Sequence, residues 1–93
     1  MTRALHAFLD APRSWRYGYD LMKVAELSSG TLYPLLARLT DDGWLESRWE
    51  ESEFPGRPPR QLYRLTATGR VQARNVLERA QASWLRRPST SEA

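Results

Sequence analysis

Cysteine is absent from this 93-residue chain, which excludes disulfide bonds and thiolate metal sites. Histidine occurs only once, as His6, so a metal site that needs several histidine ligands is excluded as well. No apolar run is long enough to span a membrane, and the first residues lack the apolar stretch of a secretory signal. We therefore expect a cytoplasmic protein that has no metal, no cofactor and no membrane partner.

Motifs for catalysis are also missing. His6 has no nearby nucleophile in the sequence, and no glycine-rich phosphate loop follows a strand pattern. Asp41 and Asp42 are adjacent acids, but they fall at the predicted end of a helix, where solvated side chains are the simpler interpretation. We predict that the chain is not an enzyme.

Lysine is nearly as scarce, because Lys23 is the only one and the remaining positive charge is arginine. The chain has 14 lysines and arginines against 11 acidic residues, which gives a formal net charge of +3. Arginine binds phosphate and guanine in bidentate fashion, but so small an excess is common among soluble proteins. A single domain of this length has only a modest core, so association into a dimer would add stability.

The most informative segment that is present runs from Ser28 to Leu45. Its leucines recur at helical spacing, which predicts one apolar face formed by Leu32, Leu35, Leu36 and Leu39. The opposite face is small and nearly free of acid, and it ends at Arg38. Such a face can enter the major groove of DNA and present donors to base edges. Tyr33 on this helix would either contact DNA or pack at the rim of the core.

Two shorter helices are predicted before this segment. Leu5, Phe8 and Leu9 form the apolar stripe of the first, which Pro12 ends, and a loop with a very short strand at its end follows. The second helix extends from about Gly18 to Ala25, and a brief turn leads to Ser28 or Ser29 as the N-cap of the leucine-striped helix. Pro34 leaves open the alternative that regular helix begins only near Thr31.

A hairpin is predicted after Gly43, which occupies the position of a left-handed C-cap. Residues 44–50 alternate as a half-buried strand with Leu45, Ser47 and Trp49 on one side, and residues 60–65 form the return strand. Three prolines and a glycine lie in the loop between them, which Arg57 and Arg60 flank. Arg57 could be an ordinary solvated loop residue, but a basic, proline-stiffened hairpin after a helix-turn-helix is the winged-helix arrangement.

The last predicted helix begins after Thr66 as its N-cap and ends near Arg86. Four of its residues have the spacing of a short coiled-coil seam, which predicts a dimer contact through Ala73, Leu77, Ala80 and Trp84. Trp84 could instead anchor the helix within its own chain. The predicted organisation is a DNA-binding domain over 1–65, a dimerisation helix over 66–87 and a disordered tail over 88–93.

Several segments of this chain resemble the PadR family of bacterial transcriptional regulators. They are Tyr17–Met22, Ser29–Leu39, Gly43–Ser47, Gly56–Pro58 and Tyr63–Arg70. The resemblance covers about residues 4–85 and points to the short form of the family, in which one C-terminal helix makes the dimer. It implies a homodimeric winged helix-turn-helix protein that usually represses its promoter and is often released by a small molecule.

The resemblance also implies roles for individual residues. Tyr17 and Tyr19 would approach the DNA backbone, and Gly56 and Arg57 would form the tip of the wing. The end of the recognition helix that faces the groove would consist of Ser29, Gly30, Thr31, Tyr33 and Pro34. The loop of residues 13–16 is longer than is usual in this family.

The predicted fold class is therefore mostly α with a small β-hairpin (α+β), a winged helix-turn-helix with a C-terminal dimerisation helix. The predicted function is a sequence-specific regulator, a repressor that binds a palindromic operator in double-stranded DNA as a homodimer. Its DNA-binding residues comprise those named for the recognition helix and wing, with Arg38 and Arg60. A small aromatic effector could bind between the two Trp84 side chains, although a filled, dry interface is the alternative. The competing hypothesis is a winged-helix module that binds another protein and not DNA.

Overall fold

The computed structural model describes the backbone of residues 1–85 and the side chains of residues 1–82. The predicted order of helices and hairpin is confirmed. The elements are α1 (Thr2–Asp10), β1 (Arg16–Tyr17), α2 (Gly18–Ala25), α3 (Ser29–Asp41), β2 (Leu45–Glu50), β3 (Arg60–Leu65) and α4 (Ala67–Leu85). None of the helices in the described part is long and apolar enough to cross a membrane.

The sheet has three antiparallel strands in the order β1-β3-β2. In the hairpin, Leu45 pairs with Leu65 near the core and Glu50 pairs with Arg60 at the distal end. The very short strand β1 adds Arg16 opposite Tyr63 on the other edge of β3. The sheet therefore holds the start of α2 beside the base of the wing.

The core lies where the apolar stripes of the helices meet the inner ends of the hairpin strands. The predicted inner face of α3 is confirmed, because Leu32, Leu36 and Leu39 are buried and Leu35 is partly buried. The full burial of one leucine side chain contributes about 1.5 to 3 kcal/mol to the stability of the fold. The largest fully buried side chains are Phe8, Leu5, Leu21, Leu32, Leu36 and Leu65.

The turn after α3 is closed by Gly43 in the predicted left-handed conformation, with φ of 81°. The Gly43 N–H donates to the Thr40 carbonyl at 3.1 Å and the Trp44 N–H donates to the Leu39 carbonyl at 2.9 Å. This pair of bonds is the Schellman motif, which satisfies carbonyls at a helix end. It sets the direction in which β2 leaves the recognition helix. At its other end α3 begins at Ser29, and the alternative start near Thr31 is wrong.

The turn after α2 has the same bond pattern but uses a glutamate. Glu26 has φ of 55°, and the Leu27 N–H donates to the Met22 carbonyl at 3.1 Å. The Arg3 guanidinium donates to the Glu26 carbonyl at 3.2 Å and to the Ala25 carbonyl at 3.5 Å. Arg3 therefore holds this strained helix end against α1.

Replacing Glu26 with glycine is expected to raise the free energy of unfolding by about 0.5 to 1 kcal/mol. Glycine adopts a left-handed backbone without the Cβ clash that other L-residues experience. Urea unfolding followed by circular dichroism measures the change. Glu26→Ala is the matched control, since it removes the acid from the helix C-terminus but keeps the Cβ. Equal gains for both variants would assign the effect to charge and contradict this explanation.

Thr66 joins three elements at the start of α4. Its Oγ1 accepts the Gly69 N–H at 2.9 Å, which confirms the predicted N-cap. The same hydroxyl donates to the Gly43 carbonyl at 2.6 Å, and the Thr66 N–H donates to the Trp44 carbonyl at 3.0 Å. The end of α3, the start of β2 and the first turn of α4 are consequently bound together.

The outer half of β2 differs from the sequence expectation. Only Leu45 of the alternating residues is buried, while Ser47 and Trp49 are exposed. The prediction of a half-buried strand is therefore wrong beyond the first two residues. The hairpin extends past the helices, so its distal residues have no core to pack against.

Candidate nucleic-acid interface

The outer face of α3 is exposed along its whole length. Ser29, Gly30, Thr31, Pro34 and Arg38 are all accessible. No acidic side chain lies in the first turn, and the Ser28 hydroxyl donates to the Thr31 hydroxyl at 3.2 Å instead of capping the backbone. An exposed helix with a small, uncharged N-terminal half and one guanidinium can lie in a DNA major groove.

Tyr33 packs at the rim of the core, as one of its two interpretations predicted, and the contact with DNA stays a prediction. A Cβ placed on the buried Gly18 would lie 2.7 Å from the Tyr33 hydroxyl oxygen, so the ring packs directly on the start of α2. The side chain is nonetheless 42% exposed. The absence of a side chain at Gly18 thus lets Tyr33 bridge α2 and α3 while one part of the ring stays accessible.

Tyr17, the N-cap of α2, and Tyr19, in its first turn, have different neighbours. Tyr19 is exposed, and the Lys23 ammonium lies 4.5 Å from its ring centroid. Tyr17 donates its hydroxyl hydrogen to the Glu50 carboxylate at 2.8 Å, and this bond raises the pKa of Tyr17. Tyr17 therefore links β1 to the distal end of the hairpin through its own hydroxyl.

The tip of the wing is a type II turn that the sequence dictates. Pro55 and Gly56 occupy its two central positions, Gly56 has φ of 85°, and the Arg57 N–H donates to the Phe54 carbonyl at 3.3 Å. The Arg57 guanidinium lies 4.9 Å from the Phe54 ring centroid. The turn thus presents one stacked cation at the far end of the hairpin.

A groove of about 640 Å³ lies between the wing on one side and the start of α2 with Tyr33 of α3 on the other. It brings together four residues that the sequence had placed at the interface, Tyr17, Tyr19, Tyr33 and Arg60. It also contains Trp49 and Gln61, which sequence reasoning did not include. Trp49 was assigned to an inner face, and its position at the end of the strand, just before the proline-containing loop, was the sequence signal that could have revealed it.

Trp15 forms a second feature that sequence reasoning missed, on the opposite face of the sheet. Two guanidinium groups lie over its ring, with centroid distances of 4.6 Å to Arg48 and 4.3 Å to Arg64. Arg64 in turn forms an ion pair with Glu46. Leu62, opposite Arg48 in the hairpin, is buried on this face. The Trp15 stack therefore stabilises the base of the wing.

The predicted dimer residues fall in different environments. Ala73 is fully buried in the chain's own core, so it has no surface left for a partner and is removed from the predicted contact. Leu77 is half-buried and Ala80 is exposed, and both line a groove of about 690 Å³ between α1 and α4. The side chain of Trp84 lies outside the described residues. The burial of this face of α4 by the rest of the chain thus decreases from Ala73 to Ala80.

Comparisons with known proteins agree with this geometry. The transcriptional regulator PadR-like family matches residues 12–75. A PadR-like transcription factor from Bacteroides fragilis is 35% identical, over 87% of this chain and 78% of that one, with a TM-score of 0.64. None of the curated proteins matches the sequence.

More distant structures share the fold. The smu.1704 protein of Streptococcus mutans UA159 is 23% identical, over 91% of this chain and 83% of that one, with a TM-score of 0.71. Bacillus subtilis PadR, solved in complex with operator DNA, is 22% identical with a TM-score of 0.65. That match covers 96% of this chain but 50% of PadR itself. Because the family match includes well over half of the residues, and a solved relative exceeds 30% identity, the chain belongs to the transcriptional regulator PadR-like family.

Proposed function

We propose that the protein is a sequence-specific DNA-binding transcriptional regulator. The observation that carries the proposal is the exposed outer face of α3, which has no acid before Asp41, together with Arg60 and the stacked Arg57 on the wing. The operator complex of the similarly folded Bacillus subtilis PadR supports the same use of the fold. It is a binding protein and not an enzyme.

In this proposal α3 lies in the major groove. Ser29, Gly30 and Thr31 let the backbone come close to the bases and phosphates, and Arg38 reaches a base edge or a phosphate from the same face. Arg57 contacts the DNA from the wing, and Arg60 holds the adjacent backbone. Tyr19 is the α2 tyrosine that is free to approach a phosphate, because the hydroxyl of Tyr17 is bonded to Glu50.

The regulator acts as a homodimer on a palindromic operator. The contact is formed by α4 through Leu77, Ala80 and Trp84, and a two-fold axis places the two recognition helices about 34 Å apart, one turn of DNA. Occupying both half-sites blocks the promoter, so the proposed effect is repression. A small aromatic effector that binds near the α4 helices releases the DNA.

Selection of bound sequences from a random DNA pool tests the function. A palindromic consensus supports both DNA binding and dimer symmetry, and titration with salt then identifies the phosphate contacts. The affinity must fall steeply as salt rises, because each phosphate contact releases counterions. If no sequence is enriched and binding to duplex DNA is undetectable even at low salt, the proposal fails and a protein-binding module becomes the better hypothesis.

Truncation of the two proposed DNA arginines is expected to weaken operator binding. Arg38→Ala or Arg57→Ala should cost about 1 to 3 kcal/mol if the residue contacts a base, and should mainly reduce the salt slope, by about 1, if it contacts phosphate. Arg79→Ala is the control, since this exposed arginine lies on α4, away from α3 and the wing. Fluorescence anisotropy at several salt concentrations measures all three. Equal losses would mean that only net charge matters and that the site assignment is wrong.

A further inference from the structure

The aromatic side chains around α2 and the wing are divided into two groups by their neighbours. In the first group each ring carries a cation of the same chain within 4.3 to 5.4 Å of its centroid: Trp15, Tyr17, Tyr19 and Phe54. In the second group the ring is exposed and, within the described part of the chain, no cation stacks on it: Trp49 and Tyr33. Both of these rings line the groove between α3 and the wing.

Trp49 is the more exposed of the two, with 63% of its surface accessible. Its cross-strand partner is Gln61, which also lines the groove, and the next pair of the hairpin places Glu50 opposite Arg60. Trp49 and Tyr33 together leave accessible aromatic surface in one groove, and a grouped apolar surface of this kind indicates a site where a partner binds. The Trp49 side chain can offer both an apolar face and one N–H donor.

The partner must fit the surroundings of the groove. One wall is the start of α2, which includes the acidic Asp20, together with Tyr33 of α3, and the other is the wing, through Trp49 and Arg60. Both walls belong to the proposed DNA interface, so a duplex that contacts α3 and the wing together covers the groove. Arg60 and Trp49 both line the groove, so it presents a cation and an apolar ring to the alternating phosphates and deoxyriboses of a DNA strand.

We propose that Trp49 is a DNA-contacting residue, whose indole packs on the apolar surface of the strand that crosses this groove. That surface is either a deoxyribose or the methyl group of a thymine. Arg60 holds the neighbouring phosphate. The proposal rests on the proposed DNA-binding function and adds to it an apolar contact between the helix and the wing.

The salt dependence of binding distinguishes this contact from a charged one. Trp49→Ala should lower operator affinity about tenfold while leaving the salt slope unchanged, because an apolar contact releases no counterion. Arg60→Ala, the matched variant on the same groove, should reduce the slope by about 1. Trp49→Phe keeps an apolar ring and should retain most of the affinity. Thermal melting of each variant verifies that it is folded, as expected for a change at an exposed position.

Replacing thymine by uracil in the operator identifies which apolar group is involved. If the thymine methyl is the contact, one such replacement weakens the wild type and has no further effect on Trp49→Ala. If a deoxyribose is the contact, the replacements affect both proteins equally and Trp49→Ala still loses affinity.

The outcomes that would overturn the proposal are separate from those that would overturn the function. Folded Trp49→Ala that binds the operator as tightly as wild type excludes the contact, and so does a loss that is accompanied by a lower salt slope. In both cases wild-type DNA binding remains intact. Failure of wild type to bind DNA at all removes the proposed function and this inference with it.

Discussion

Replacing Gly69 with alanine is expected to lower the free energy of unfolding by about 3 to 4 kcal/mol, a large part of the stability of a small domain. A Cβ at this position would lie 1.9 Å from the Trp44 carbonyl oxygen, which is far inside van der Waals contact. The carbonyl cannot move away cheaply, because it accepts the Thr66 N–H at 3.0 Å. The N-cap bond from the Gly69 N–H to Thr66 would be strained as well.

Thermal unfolding by circular dichroism measures the effect, which corresponds to a fall of about 12 °C or more in Tm. Gly30→Ala is the matched control, since Gly30 also lies in the first turn of a helix and has no atom within 4 Å of the position of a Cβ. There the helix propensity of alanine should add about 0.5 to 1 kcal/mol. Similar changes for the two variants would contradict a role for the Trp44 contact.

Gly30→Ala also separates stability from DNA binding. The added methyl group lies on the exposed end of α3 that is proposed to approach the DNA, so operator affinity should fall although the fold becomes more stable. A variant that gains stability and keeps full affinity would show that the DNA does not come close at Gly30.

Replacing Ala80 with glutamate is expected to convert the proposed homodimer into monomers and to reduce operator affinity at least a hundredfold. Ala80 is exposed on the described chain and lies next to Leu77 in the groove beside α4. A carboxylate there would be buried without a partner in the dimer, which is far more costly than the loss of a methyl group. Because the two half-sites must be bound together, loss of the dimer removes the advantage of joint binding.

Light scattering at micromolar concentration reports the oligomeric state, and anisotropy with the selected operator reports affinity. Val71→Glu is the control, because Val71 is 56% exposed on the same helix and lies nine residues from Ala80. Nine residues are two and a half turns, so the two positions are on opposite faces of α4. A monomeric wild type, or a dimeric Ala80→Glu with full affinity, would show that this surface is not the interface.

Local chemistry explains which parts of the fold could be predicted. The leucines of α3 have a helical period that buries one face, and the bounds Gly18–Ala25 and Arg60–Leu65 agree with the structure because glycine, proline and threonine punctuate the chain. Gly43 and Thr66 each cap a helix end through hydrogen bonds to residues at most four positions away in the chain. The exposed face of α3 followed from the same period.

Burial and partners at longer range could not be predicted from the same signals. Ala73, Leu77 and Ala80 follow the alternating four- and three-residue spacing of one helix face, yet the core covers the first completely and leaves the third exposed. Trp49 alternates with its neighbours as a buried strand residue does, but the hairpin has already passed the edge of the helices at that point. In both cases the sequence period identifies which residues share a face. Which of those residues are buried depends on how far the neighbouring helices and strands extend along that face.

The sequence by itself determined the order of the elements, their ends and the outer face of the recognition helix, since these depend on backbone geometry and on neighbours within a few residues. Only the tertiary structure decided that Tyr33 packs on Gly18, that the Tyr17 hydroxyl donates to Glu50, and that Trp49 lines the groove. These contacts join residues 15 to 33 positions apart, or place a residue beyond the edge of the core. No local pattern encodes such distances, because they arise when the helices and the hairpin pack on one another.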